Sequence, residues 1–372
     1  MAKDPEPLDV FWHPAVLKHD IGKAAFETPP SPLLAVAERH VEGPDRVRNM
    51  RAILKRGPIA RHLCWRRGRY ASLDELGLFH DADYLRALEG AARSGGKWYT
   101  RTTCFTASSW LPALAAAGTA LAAMAHILSG RGKVAYALVR PPGHHAAPGM
   151  ADGYCFINNA ALAAQLAIER GVARVAVIDW DVHHGNGTQE GFYERDDVLT
   201  VSLHMDHGPW GPTHPQTGHA DEVGRGRGKG FNFNVPLPMG TGDRGYALAL
   251  SQVVRPALES FRPEMIVVAN GQDGSQFDPN GRQLLSMAGF RALGRFAREM
   301  ADAHTGGRLL LVQEGGYQVS YAAFCLHASL EGVLGLGPLL DDPIAFYPED
   351  TRTAEQAIDR ILAERARALA AS

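Results

Sequence analysis

Cysteine is scarce in this chain of 372 residues: four are present, Cys64, Cys104, Cys155 and Cys325, and no two form a C-x-x-C pair. That spacing suggests neither a disulfide framework nor a thiolate zinc site. Charge of one sign is lacking too. With 38 basic and 40 acidic residues the formal net charge is -2, which provides no general field for nucleic acid or membrane. No nucleic-acid motif is visible, so no nucleic-acid partner is expected. The local exception is the arginine-rich piece R-H-L-C-W-R-R at 61–67, and since no basic stripe continues from it, it reads as a solvated, partly packed face. The first ten residues, M-A-K-D-P-E-P-L-D-V, lack the apolar core of a signal peptide, and no uninterrupted apolar run long enough to cross a bilayer stands out. The expectation is a cytoplasmic protein with no membrane partner. Fixed-period repeats, low-complexity segments and an obvious linker are also missing, which points to one domain over 1–372.

What the chain does have is a repeating pattern. Strand-like runs at 134–139, 175–180, 198–204, 265–269 and 309–313 alternate with helical patterns at 160–169, 246–261, 288–303 and 321–333. Such alternation predicts βαβ units and a three-layer α/β/α fold around a central, mostly parallel sheet. Further helices are expected at 44–55, with Pro44 near its start, at 107–128, apolar nearly all round, and at 353–370, packing on the outside or at a subunit contact. The first hundred residues are the least regular. Their Pro-rich stretch around 27–32 marks a long ordered loop.

The chain is also rich in histidine, with 16, several of them clustered where strands end. The run V-A-V-I at 175–178 leads into Asp179, Asp181, His183 and His184, then a glycine-rich turn holding Asn186. In an extended segment Asp179, Asp181 and His183 share one side, at the carboxyl end of the strand, where ligands bind in open α/β sheets. Taken alone, D-x-D-x-H fits a solvent-facing turn cap. Its company changes that reading. The strand at 134–139 runs into R-P-P-G-H-H-A with His144 and His145, the one at 265–269 into Asp273, and the one at 309–313 into E-G-G-Y with Tyr317. Asp181, His183 and Asp273 make an oxygen/nitrogen set for a borderline metal, zinc or ferrous iron, with a position left open for water. A histidine beside it could move the water's proton, and a tyrosine hydroxyl could stabilise an oxyanion. These parts describe amide hydrolysis.

The motifs R-P-P-G-H-H-A at 140–146, G-Y-C-F-I-N-N at 153–159, D-W-D-V-H-H-G-N-G-T at 179–188, T-V-S-L-H at 200–204 and E-G-G-Y at 314–317 resemble the histone deacetylase superfamily. That superfamily includes acetylpolyamine amidohydrolases, and the likeness is to class II-like bacterial amidohydrolases with the arginase/deacetylase fold. The resemblance implies zinc at Asp181, His183 and Asp273, with His145 as general base and acid. His144 would be its electrostatic neighbour held by Asp179, Asn186 the orienting partner of His145, and Tyr317 the carbonyl-polarising donor. It also implies a structural potassium ion at Asp179, Asp181, His183, Ser202 and the backbone of Leu203, and a substrate tunnel lined by Gly153 and Tyr154.

Several positions depart from the family pattern. Asn186 stands where class I members usually carry Asp, Tyr154 replaces a more usual Phe, and G-Q-D-G at 271–274 replaces G-F-D-A. The loop 205–215, rich in Trp, His and Pro, would form a stiff rim on which Trp210 or His214 could wall the mouth; ordinary loop packing is the alternative. An acidic gatekeeper, where polyamine-specific relatives carry one, corresponds to the neutral Asn280, although an N-terminal acid such as Glu27 could substitute. The segment 13–42 is expected as a long N-terminal loop that narrows the active-site mouth or builds an oligomer contact, giving a dimer or tetramer. Three readings follow: a zinc-dependent deacylase of acetyl-lysine-type or small N-acyl amine substrates, an acetylpolyamine or xenobiotic amide hydrolase, and a non-catalytic binding module.

Overall fold

Residues rich in Val, Ile and Leu form the strands, and their alternation builds two cores at once. In the strand Val175–Asp179, Val175 and Val177 join one buried apolar cluster while Ala176 and Ile178 join the other. The strand Met265–Asn270 divides in the same way, with Val267 on one face and Ile266 and Val268 on the other. Side chains alternate along a strand, so a run that is apolar at every position must be covered on both faces. The computed structural model describes residues 6–208, 214, 216–344 and 347–371.

Eight strands make the sheet: β1 (Leu8–Trp12), β2 (Leu63–Arg67), β3 (Val134–Ala137), β4 (Val175–Asp179), β5 (Val198–Met205), β6 (Asn232–Leu237), β7 (Met265–Asn270) and β8 (Leu309–Gln313). Their order across the sheet is β6-β5-β4-β7-β8-β3-β1-β2, and every pairing is parallel. Helices Ala82–Arg93, Trp110–Leu128 and Asn159–Glu169 cover one face. Helices Pro44–Arg56, Met287–His304, Tyr321–Val333 and Thr351–Ala370 cover the other. This is the three-layer α/β/α arrangement the alternation predicted.

Three strands escaped the sequence pattern. β1 and β2 lie in the first hundred residues, so that region contributes two of the eight strands, at one edge of the sheet, and not only loop; the 61–67 piece is mostly the edge strand β2, with Arg66 and Arg67 exposed at its end. β6 carries Pro236 and two asparagines, which hide it, but as an edge strand it pairs on one side only and tolerates the missing N–H. The helix expected at 246–261 starts at Asp243 and contains a π-turn at Leu250–Val254, just before Pro256. Proline cannot donate to the ladder and crowds the carbonyl four residues back, so the local widening has a cause.

Contrary to the expectation from sequence, the Trp110–Leu128 helix is long and apolar enough to span a bilayer by length and composition. Its small side chains are used as core instead, and 72% of its apolar window is buried. Helix Thr351–Ala370 packs outside β6, where the Arg365 guanidinium lies 3.2 Å from the Phe233 ring centroid and donates to Gly230 O at 2.8 Å.

Candidate metal centre and catalytic pocket

The four strands whose ends carry the sequence motifs, β4, β7, β8 and β3, are consecutive in the sheet. Parallel pairing puts all four carboxyl ends on one rim, so motifs more than a hundred residues apart meet there. The ligand atoms of Asp181, His183 and Asp273 lie within 4.8 Å of one another, and all three residues are buried. His183 Nδ1 is 3.0 Å from Asp181 Oδ1 and 3.2 Å from Asp273 Oδ2. The other carboxylate oxygens are anchored: Gly315 N–H donates to Asp181 Oδ2 at 2.8 Å and Val182 N–H to Asp273 Oδ1 at 2.9 Å.

Two observations test whether this set suits a dication. Asp273 Oδ2 is buried and faces only the His183 ring, 3.2 Å from its Nδ1, with no backbone donor to anchor it. Burial first, and then the neighbouring Asp181 charge, push the Asp273 carboxyl up to about 7. Two crowded carboxylates and an imidazole are a donor set whose excess negative charge a divalent cation would relieve. Glycines make the room, since a Cβ on Gly315 would stand 2.1 Å from Asp273 Oδ2 and one on Gly271 2.3 Å from Asp181 Oδ2.

Beside this cluster the two histidines differ by their partners. His144 Nδ1 is 2.8 Å from Asp179 Oδ2. Burial works against the charged ring, but Asp179 and Asp181 outweigh it and hold the His144 pKa well above the ordinary value. His145 Nδ1 is 2.6 Å from Asn186 Oδ1, a neutral acceptor, and burial followed by His144 and His183 pulls its pKa well below the ordinary value. An amide oxygen only accepts, so the proton of neutral His145 sits on Nδ1 and Nε2 is left to accept.

The sequence reasoning missed the groups that hold these residues. Glu314 Oε2 accepts from the backbone N–H of Gly143 at 2.6 Å and of His144 at 3.1 Å, and burial pushes that carboxyl up to about 8. Asp278 Oδ2 accepts from Tyr317 N at 2.6 Å and Gln318 N at 3.0 Å. Arg46 donates to Glu314 O at 2.8 Å and lies 5.4 Å from the Tyr317 ring centroid, itself held by the buried Glu42. Glu314 was visible as the first letter of E-G-G-Y; Asp278 and Arg46 carried no local signal.

A cavity of about 270 Å³ leads to the cluster, with His145, His183, Asn186 and Tyr317 in its lining. Gly153 has φ +48, and a Cβ there would stand 2.1 Å from His145 Cδ2, so only glycine fits. Tyr154, with φ 66, packs edge-on against Tyr317 at 5.6 Å between centroids. Its hydroxyl donates to Glu27 Oε2 and accepts from Asn280 Nδ2 at 3.0 Å. Glu27 and Thr28 bring the N-terminal segment to the cavity wall. His214 also lines it, with Nδ1 2.7 Å from Asp152 Oδ1, whereas Trp210 lies outside the described residues. Ser202 stands opposite Asp179 in the β4–β5 register, and its hydroxyl is 3.0 Å from His204 Nδ1, with Leu203 buried next in the strand.

An all-parallel eight-stranded sheet between two helical layers, with an Asp/His/Asp cluster and a histidine pair on its carboxyl rim, defines an arginase/deacetylase-type α/β protein. The chain belongs to the histone deacetylase family: the histone deacetylase domain model matches residues 40–333. It is 56% identical to Histone deacetylase 8 of Arabidopsis thaliana over 358 residues, covering 95% of each chain. It is 40% identical to the histone deacetylase-like amidohydrolase of Pseudomonas aeruginosa over 342 residues, 91% of this chain and 87% of that one. The crystal structure of the HDA15 HD domain superposes with a TM-score of 0.82 at 31% identity, covering 97% of this chain and 98% of the other. The protein is thus a hydrolase of the deacetylase/amidohydrolase kind.

Proposed function

We propose that the protein hydrolyses N-acyl amides, removing acetyl groups from acetyl-lysine-type or small N-acyl amine substrates, with zinc or ferrous iron held by Asp181, His183 and Asp273. The observation that carries this reading is the convergence of three buried donors within 4.8 Å, one of them His183, on the cavity that His145 and Tyr317 also line. When bound, such a metal supplies Lewis acidity to the amide carbonyl and makes water a better nucleophile at neutral pH. The protein's own groups do the rest. His145 Nε2 accepts a proton from the attacking water and returns it to the departing amine nitrogen. Asn186 keeps the Nδ1–H tautomer in place, and His144, charged beside Asp179, favours developing negative charge nearby. Tyr317 donates its hydroxyl proton in a hydrogen bond to the substrate carbonyl oxygen. Burial, then Asp181 and Asp273, push that phenol far above its ordinary value, so it stays a donor. Gly153 leaves room for the His145 ring, and Tyr154 walls the cavity beside Tyr317. A potassium ion at Asp179, Asp181, His183, Ser202 and the Leu203 backbone would offset the concentrated carboxylate charge.

One observation favours a second reading, hydrolysis of N-acyl polyamines. Glu27 places a carboxylate in the cavity wall, where it would attract a distal ammonium, while Asn280 beside it is neutral. The test is the hydrolysis rate of metal-loaded protein on an acetyl-lysine peptide, N-acetylputrescine, N-acetylspermidine and an acetanilide, with a hydroxamate chelator as control. Hydroxamate-sensitive turnover of the lysine peptide supports the first reading, and preference for the polyamines supports the second. Silence across the panel with metal bound would replace both with a binding module. Asp181→Ala and His183→Ala should each lose metal and turnover together.

A further inference from the structure

A second cavity lies at the β2 edge of the sheet, between that strand and the Trp110–Leu128 helix. Four guanidinium groups line it: Arg66 and Arg67 from β2, Arg69 just beyond, and Arg131 from the turn that follows the helix. Its volume is about 470 Å³, and Phe11 and Ala125 contribute apolar surface. Among the described residues no carboxylate lines it, and it shares no lining residue with the catalytic cavity. The whole chain carries a net charge of -2, so this concentration of positive charge is local.

The carboxylates that touch these arginines are already engaged. Asp9 Oδ1 accepts from Arg66 Nε at 2.7 Å, and its Oδ2 is 2.8 Å from His126 Nε2. Glu75 accepts from both terminal nitrogens of Arg69, at 2.7 and 2.6 Å. Arg67 and Arg131 have no ion pair among the described residues, and Arg131 Nε donates only to Ser129 Oγ at 2.9 Å. Uncapped carbonyls at the C-terminal end of the helix would repel an anion. Here they are capped: Ala125 O accepts from Ser129 N at 3.1 Å, and His126 O from Ser129 Oγ at 2.9 Å and Arg131 N at 3.3 Å.

We propose that this cavity binds a small phosphorylated molecule through its phosphate groups. Arg66 and Arg69 keep their carboxylate partners, which leaves Arg67 and Arg131 as the uncompensated charges, and a compact polyanion would pair with both through charge-assisted, bidentate hydrogen bonds. The apolar surface of Phe11 and Ala125 suits the remainder of such a molecule. A nucleic acid strand would need a basic track leading away from the cavity, and the lining itself holds no further Arg or Lys beyond these four among the described residues.

Inorganic tripolyphosphate, titrated calorimetrically into the full chain at low ionic strength, is the probe. Saturable binding to one site is expected, weakened about tenfold or more by Arg131→Glu or Arg67→Glu, as loss of a charged contact implies. Arg225→Glu, the same charge change outside the cavity, should leave it unaltered. In the unsubstituted protein tripolyphosphate should slow amide hydrogen exchange at 63–69 and 129–133, which keeps the test independent of any variant's folding. Lack of saturable binding, equal weakening by Arg225→Glu, or protection elsewhere would overturn the proposal. So would a single-stranded oligonucleotide binding more tightly than tripolyphosphate.

Discussion

His145 Nδ1 and Asn186 Oδ1 lie 2.6 Å apart, while the adjacent ring of His144, 4.1 Å away between centroids, meets Asp179 at 2.8 Å. One imidazole is thus oriented by a neutral amide and the other by a carboxylate. Burial, then the neighbouring His144 and His183, pull the His145 pKa well below the ordinary value, whereas Asp179 and Asp181 outweigh burial at His144 and hold its pKa well above.

Replacing Asn186 by Asp should erase part of that difference. An anionic partner favours the imidazolium, so the His145 pKa should rise, and the acid limb of the pH profile of kcat/KM should move up by on the order of one unit. The profile measured for both proteins decides it. An unmoved limb would remove His145 from the role of base.

Tyr317→Phe should keep its metal and lose most turnover. The phenol hydroxyl is not among the proposed metal donors, and loss of one oxyanion donor costs about a hundredfold to a thousandfold in kcat. Metal content by elemental analysis, taken alongside kcat, separates this from collapse of the site. Full turnover would sink the assignment of the tyrosine.

Gly153→Ala should impair catalysis without removing metal. The added methyl would stand 2.1 Å from His145 Cδ2 at a backbone φ of +48, so ring and loop must both shift. A fall in kcat with unchanged metal content is expected, with a stability cost of about 1 to 3 kcal/mol. Denaturant unfolding reads the second quantity.

His80 predicts an acid sensitivity outside the metal cluster. Its Nδ1–H donates to Ala147 O at 3.1 Å and its Nε2 accepts from Asn158 N–H at 2.9 Å, which ties the loop carrying the histidine pair to the helix start at Asn159. Burial pulls its pKa down to about 4. A depressed folded-state pKa means the unfolded chain binds the proton first. Stability from this group is complete above about pH 6.5 and declines as pH falls toward 4, by on the order of 3 kcal/mol in all. His80→Gln, able to make both bonds without titrating, should flatten that part of the stability curve. An equally steep curve in the variant would assign the acid sensitivity to other groups.

The central strands were legible because burial on both faces demands unbroken apolar runs, as in V-A-V-I before Asp179 and M-I-V-V-A before Asn270. Their motif-bearing ends were legible for the same reason: a hydrophobic run stops where the chain reaches the rim. β1, β2 and β6 were not. β1 holds Asp9, acceptable in the core only because Arg66 and His126 meet it, and β2 and β6 carry the arginines, asparagines and proline that edge strands allow.

By itself, then, the sequence determined which residues are candidates for the chemistry, since Asp181, His183, Asp273, the histidine pair and Tyr317 sit in short local patterns tied to strand ends. Only the tertiary structure decided what surrounds them. Glu314 under the histidine turn, Asp278 behind Tyr317, Glu27 against Tyr154 and Arg131 beside Arg67 are contacts set by strand order and loop packing. Hydrogen bonds and charge act through space over a few ångströms, and spacing along the chain carries no record of a partner a hundred residues away.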